Sequence, residues 1–399
     1  MAHLAYALFH HAFILVATAI GIYGLLLAFL TTATFQSHVV YLHAIKIPWF
    51  EDLNIPENFG FLKNQVTPFA ISTADGERLY AWHILPLELY RKNEFYLVDE
   101  PSGFITNITS RTSFKLLRED PEARLVIHMH GAGGTVGSGY RVANYRALSA
   151  GHPEKIHILT FDYRGFGKSS GSPCEAGLVN DGLAVVEWAI NVAGVSPSRI
   201  VIFGQSMGTA VSIAVSKNLA FRDEPIVLAG TILVAPFVDI ATLVSTYRVA
   251  GIIPILSPIA SFPSLFEYLK LFIHDRWLNK DAIAEYIRIN EANEKKYRLI
   301  IIHAEDDYDI PWRHSQLLVQ HAVYASVPAE VSFEETEDQI SQLEVDLGAG
   351  GSKMEWKSHN GIIKKMILRK GLHDVIMGYP IISMTVIGIF AESDSLLTY

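Results

Sequence analysis

Apolar positions follow two rhythms along the chain. Residues 69–72 and 79–85 are strand-like runs, and Asp75-Gly76 between them supplies a hairpin signal. Short apolar runs then recur at 125–130, 156–162, 200–203, 230–235, 299–303 and 362–368, with helical spacing between most of them, notably at 180–193 and 207–219. Runs such as Ile200-Val201-Ile202-Phe203 and Leu299-Ile300-Ile301-Ile302 leave no polar face. Strands of that kind are buried on both sides, as in a parallel sheet covered by helices. The pattern predicts an α/β fold with eight strands, mostly parallel, led by an antiparallel hairpin and flanked by helices.

Several stretches break the rhythm. Residues 1–45 contain no Asp, Glu, Lys or Arg, and the run from Ala12 to Leu30 is almost wholly apolar. As a helix, that run would span about 28 Å, close to the hydrocarbon core of a bilayer. It predicts a membrane anchor over 1–37, with the span itself at about 12–33. A cleaved signal peptide fits less well, because the charged n-region is missing and the apolar run is too long. Residues 38–65 read as a linker and 88–121 as a polar surface insertion. Residues 238–297 separate successive strands by far more than a crossover needs, and are apolar from Ile252 to Ile259 and from Phe262 to Ile273. Such an insertion is either a helical lid over an apolar substrate channel or an extra buried layer. Residues 330–353, acidic and then glycine-rich, read as a solvated loop. The core then comprises two parts, 66–237 and 298–399.

Composition adds limits. Half of the 399 residues are hydrophobic, enough for a large core, and a net charge of −9 without a long basic run argues against nucleic acid as a partner. Cys174 is the single cysteine, so neither a disulfide framework nor a zinc site built on cysteine pairs is available. The sequon Asn107-Ile108-Thr109 would favour a lumenal location.

One turn concentrates the chemistry. The strand-like run ending at Phe203 continues as Gly204-Gln205-Ser206-Met207-Gly208 directly into a helical segment, the setting of a nucleophile elbow. Ser206 is the candidate nucleophile, and a serine needs an adjacent base to take its proton as it attacks. Where the chain order is serine, acid, histidine, the base falls on His373, in the loop after the last strand. His314 and His321 come too early, and His359 precedes that strand. The acid should follow the strand at 299–303; spacing to Pro311 favours Asp307, with Asp306 in reserve and Asp239 a further candidate. The developing oxyanion needs N–H donors. Met207 supplies one, and Ala132, in the turn His130-Gly131-Ala132-Gly133-Gly134, is expected to supply the second. A rival motif from Asp162 to Ser169 ends in Gly-Lys-Ser. However, Asp162 stands where a phosphate-binding loop requires its first glycine, and Ser170-Gly171-Ser172-Pro173 follows where a helix should open. No cofactor and no metal is expected.

From about residue 66 onward the chain resembles the α/β-hydrolase fold serine hydrolases. The likeness rests on the His130–Gly134 turn, Asp162-Tyr163-Arg164-Gly165-Phe166-Gly167, Gly-Gln-Ser-Met-Gly, His303-Ala304-Glu305-Asp306-Asp307 and Gly371-Leu372-His373-Asp374. The segment from His303 and the single apolar N-terminal helix are most similar to the membrane-anchored α/β-hydrolase-domain monoacylglycerol and lysophosphatidylserine lipases. The resemblance implies a Ser206–His373–Asp307 triad and hydrolysis of carboxylic esters of lipids through an acyl-enzyme. It also implies a single-pass protein of the endoplasmic reticulum with its catalytic domain in the lumen. A thioesterase, an ester hydrolase of small-molecule biosynthesis, or a catalytically silent binding protein on the same fold are the alternatives. Two departures stand out: Asp309 occupies a place where valine is usual, and the acidic insertion before the last strand is extra.

Overall fold

The protein is described here as a computed structural model covering residues 2–246, 248–249, 253–254, 259, 261–328 and 330–397. Ten strands form one sheet: β1 (Val66–Ser72), β2 (Arg78–Ile84), β3 (Arg124–Met129), β4 (Ile156–Phe161), β5 (Ile200–Gln205), β6 (Gly230–Val234), β7 (Tyr297–Ala304), β8 (Val345–Asp346), β9 (Ser352–Lys357) and β10 (Gly361–Leu368). Their spatial order is β1-β2-β4-β3-β5-β6-β7-β10-β9-β8. Every pairing from β4 across to β10 is parallel, while the two edges are antiparallel. This is the mostly parallel sheet, led by an antiparallel hairpin, that the apolar runs predict.

Alternation along each strand divides the core between two faces. On β5, Ile200 and Ile202 pack with the helices Glu175–Asn191 and Met207–Ala220. Val201 and Phe203 pack with Arg141–Ser149 and Pro380–Leu397 on the other side. Both faces are covered, which is why the run carries no polar residue.

Four expectations need correction. The sheet has ten strands rather than eight, because residues 330–353 are not a plain loop. They hold the helix Phe333–Gln342, opened by a reciprocal Ser332–Glu335 capping box, and β8 and the start of β9 follow. Met354 is buried on the inner face of β9, among charged neighbours that hide the alternation. The polar insertion at 88–121 folds as the helices Leu87–Asp99 and Thr112–Arg118, which bury Tyr90, Leu97, Phe114 and Leu117. The insertion at 238–297 divides: Asn279–Ala292 is a core helix whose Ile283 and Ile287 pack against Leu299 and Ile301 of β7. In the earlier part, the helices Ile240–Thr246 and Pro263–Lys270 contribute side chains to the cavity that Ser206 lines at the end of β5. Of the apolar run 252–259, residues 252 and 255–258 lie outside the described residues.

The fourth correction concerns the N-terminus. The apolar helix runs Ala2–Leu30, longer than and ending before the expected span of 12–33. It stops where the Thr31 and Thr32 hydroxyls turn back onto the Ala28 and Phe29 carbonyls, and a second helix, Ala33–Tyr41, begins. The 28 residues His3–Leu30 are apolar enough to cross a membrane and none of their most apolar stretch is buried, which rules out a core helix. The expected linker is likewise ordered: Tyr41, Leu53 and Phe61 are buried in the domain. Deleting residues 1–31 is therefore expected to leave a folded domain that moves to the supernatant on alkaline carbonate extraction. Continued recovery in the pellet would contradict a sole N-terminal anchor.

Candidate active site

Ser206 sits between β5 and the helix Met207–Ala220 with φ 54° and ψ −124°, a left-handed conformation that costs a non-glycine residue strain. Its amide is fixed by the Val234 carbonyl at 2.9 Å. The turn is possible because strand and helix backbones nearly touch. A Cβ on Gly208 would overlap the Met129 carbonyl, and one on Gly204 would overlap the Gly208 carbonyl and Ser212 Oγ. The Ser206 hydroxyl makes no hydrogen bond among the described residues and lines a cavity of about 820 Å³.

His373 lines the same cavity. Its Nδ1 lies 2.7 Å from Asp307 Oδ2, so the proton belongs on Nδ1 and the Nε2 lone pair is left free. Burial works against a charged His373, but the hydrogen bond and charge of Asp307, with Asp374 and Asp309 behind, outweigh it and raise its pKa above the usual 6.5. Asp307 is itself buried, which disfavours its charge. Hydrogen bonds from His303 and His373 nevertheless hold it far below the ordinary carboxylate range. The Asp309 and Ile310 amides also donate to Asp307 Oδ1, each at 2.9 Å.

The competing carboxylates have other partners. Asp306 Oδ1 accepts the amides of Gly371 and Leu372 at 2.8 and 2.9 Å, fixing the loop that carries His373. Asp239 accepts the Thr242 amide at 2.7 Å. His303, which sequence reasoning passed over because it lies inside β7, supports Asp307. Its Nε2 faces Asp307 Oδ2 at 3.1 Å and the Ile310 carbonyl at 3.0 Å, and its Nδ1 faces Ser315 Oγ at 2.6 Å.

The turn after β3 brings Ala132 beside Ser206 and Met207 on the cavity wall. The Ala132 and Met207 amides take no hydrogen bond among the described residues, as donors kept for a ligand would. What shapes the turn is Arg141, buried and absent from the sequence reading. Its guanidinium donates to the carbonyls of Gly131, Gly133 and Thr135 at 3.0, 2.6 and 2.5 Å. From the outside, the Gly133 and Gly134 amides donate to the carbonyls of Tyr41 and Ile45 at 2.8 and 2.7 Å. The segment that follows the first helix thus braces this turn. Asp162, the residue that disqualified the phosphate loop, is fully buried and accepts the Val136 amide at 2.8 Å; burial pushes its pKa up to about 7.

Most of the remaining cavity wall is apolar. Leu27 and Leu30 from the first helix face it, as do Leu243, Phe266, Ile273 and Trp277 from the overlying segment. Gln36 ties these walls together. Its Nε2 donates to the carbonyls of Leu30 and Phe272, each at 2.6 Å, and its Oε1 accepts the His274 amide at 3.0 Å. Tyr41 adds its hydroxyl to Asp275 Oδ2 at 2.7 Å.

A profile of the alpha/beta hydrolase family matches residues 126–350. The chain belongs to that family. It is 28% identical over 282 residues to the lysophosphatidylserine lipase ABHD12 of Danio rerio, covering 70% of this chain and 64% of that protein. To ABHD12 of Xenopus tropicalis it is 29% identical over 294 residues, 73% of this chain and 66% of the relative. The match therefore spans just under two thirds of these relatives' length. The structure of an alpha-beta hydrolase from Vibrio vulnificus superposes with a TM-score of 0.50 at 15% identity, covering 77% of this chain and 89% of that one, a likeness of fold alone.

Gly208→Ala tests the elbow's packing. With a carbonyl in the way of the new Cβ, the variant is expected to lose about 3 kcal/mol of unfolding free energy. An unchanged denaturation midpoint would show that strand and helix are not so close.

Proposed function

We propose that the protein is a membrane-anchored serine hydrolase that cleaves carboxylic esters of lipids. The observation that carries this reading is the 2.7 Å hydrogen bond between Asp307 and His373, on the wall of the cavity that Ser206 lines. Ser206 attacks the ester carbonyl while His373 Nε2 takes its proton. The tetrahedral oxyanion is held by the Met207 and Ala132 amides. His373 then returns the proton to the leaving alcohol, and water, activated by the same histidine, clears the acyl-enzyme. Asp307 keeps its charge throughout, fixing the tautomer of His373 and stabilising its imidazolium.

Lipid is the substrate class that suits the walls. The lining is dominated by apolar side chains, and part of it is the end of the helix apolar enough to enter a bilayer. A monoacylglycerol or a lysophospholipid can lay its acyl chain there, and the ABHD12 relatives are named for the latter class. By family resemblance, the domain would sit in the lumen of the endoplasmic reticulum. The exposed Asn107, which caps the Thr109 amide at 3.1 Å, is consistent with that side.

Two linked measurements test the chemistry. Ser206→Ala and Asp307→Asn should each cut turnover of an oleoyl ester by about three orders of magnitude or more. In the wild type, kcat/KM should fall as pH drops through a pKa above 6.5, because His373 acts as a base only when neutral. Removing the Asp307 charge should move that acid limb to lower pH. Full activity of Asp307→Asn, with turnover lost in Asp306→Asn instead, would reassign the acid.

A further inference from the structure

We infer that Asp309 selects the alcohol half of the substrate, favouring an uncharged polyol ester over one whose alcohol carries a phosphate. This rests on Ser206 and His373 working as proposed above. The histidine hands its proton to the leaving oxygen, so the alcohol half must lie beside His373, and the acyl half in the apolar part of the cavity.

Asp309 stands on the alcohol side. It lines the cavity, and its carboxylate, Asp307 and His373 each offer an atom within 4.8 Å of the others. Its backbone is pinned, the amide donating to Asp307 Oδ1 at 2.9 Å, while its side chain has no hydrogen bond or ion pair among the described residues. Half-burial leaves that carboxylate short of water and pushes its pKa up. An acceptor so placed is satisfied by hydroxyl donors from a bound alcohol and repels a phosphate.

The surrounding charges reinforce the choice. Asp374 also lines the cavity, fixed by Gln205 Nε2 at 3.2 Å. The two permanent cations on the wall, among the described residues, are both engaged. Arg141 is committed to the carbonyls of the turn after β3, and Lys270 is paired with Glu267 at 2.9 Å. Neither is left to neutralise a phosphate beside His373.

The test compares 1-oleoylglycerol with 1-oleoyl-lysophosphatidylserine, which share an acyl chain and a scissile ester, using the full-length protein in one neutral detergent. The wild type should favour the glycerol ester in kcat/KM. Asp309→Asn should move the ratio about tenfold toward the phosphate ester, chiefly by lowering its KM. Asp309→Ser should do the same, and Asp309→Glu should restore the wild-type ratio. An unchanged ratio in both neutral variants, with hydrolysis still dependent on Ser206, overturns this inference and leaves the serine-hydrolase reading standing. Absence of Ser206-dependent hydrolysis of either ester overturns both.

Discussion

The site depends first on two backbones meeting where β5 becomes the helix Met207–Ala220. Side chains are excluded at Gly204 and Gly208, so the helix can start directly against β3 and β5. That contact holds Ser206 in its left-handed conformation, and Met207 after it lines the same cavity. The strain at Ser206 persists because the surrounding structure over-determines it: the Ser206 amide donates to the Val234 carbonyl, and the Thr209 hydroxyl donates to the Ser206 carbonyl at 2.6 Å.

Around this point, the polar groups work mainly through backbone carbonyls and amides. Arg141 gathers three carbonyls of the turn after β3, Asp306 two amides of the His373 loop, and Asp307 two amides of its own turn. Each fixes a loop at the carboxyl edge of the sheet, where α/β folds place their ligands. The segment after the first helix joins this arrangement through Tyr41, Ile45 and Gln36. The end of the first helix, the turn after β3 and the overlying segment are therefore joined by hydrogen bonds into one wall of the cavity.

Much of this was legible in the sequence, for physical reasons. Strands buried on both faces are largely apolar, so β3 to β7 stand out, while β10, fully buried only at alternate positions, shows as an apolar run broken by Lys364 and Lys365. The elbow needs small residues at fixed offsets, and the chain order of the fold then points to Asp307 and His373. What escaped has no such signature. Arg141 and Gln36 act on main-chain groups far away in sequence, and nothing in their spacing marks them. His303 was hidden by lying within a strand. The helices at 87–99 and 112–118 bury only two or three side chains each, which is too few to impose a period against a polar background. The Ser332–Glu335 capping box is a helix-start signal, but the acidic composition around it masks it.

The central claim is that Ser206 is a nucleophile activated by its setting. The most direct measurement is peptide mapping by mass spectrometry after exposure of the full-length protein to a fluorophosphonate. A phosphonyl adduct on Ser206, lost when His373 is replaced by alanine, is the predicted result. No adduct on folded protein, or an adduct on another serine with Ser206 unmodified, would contradict it.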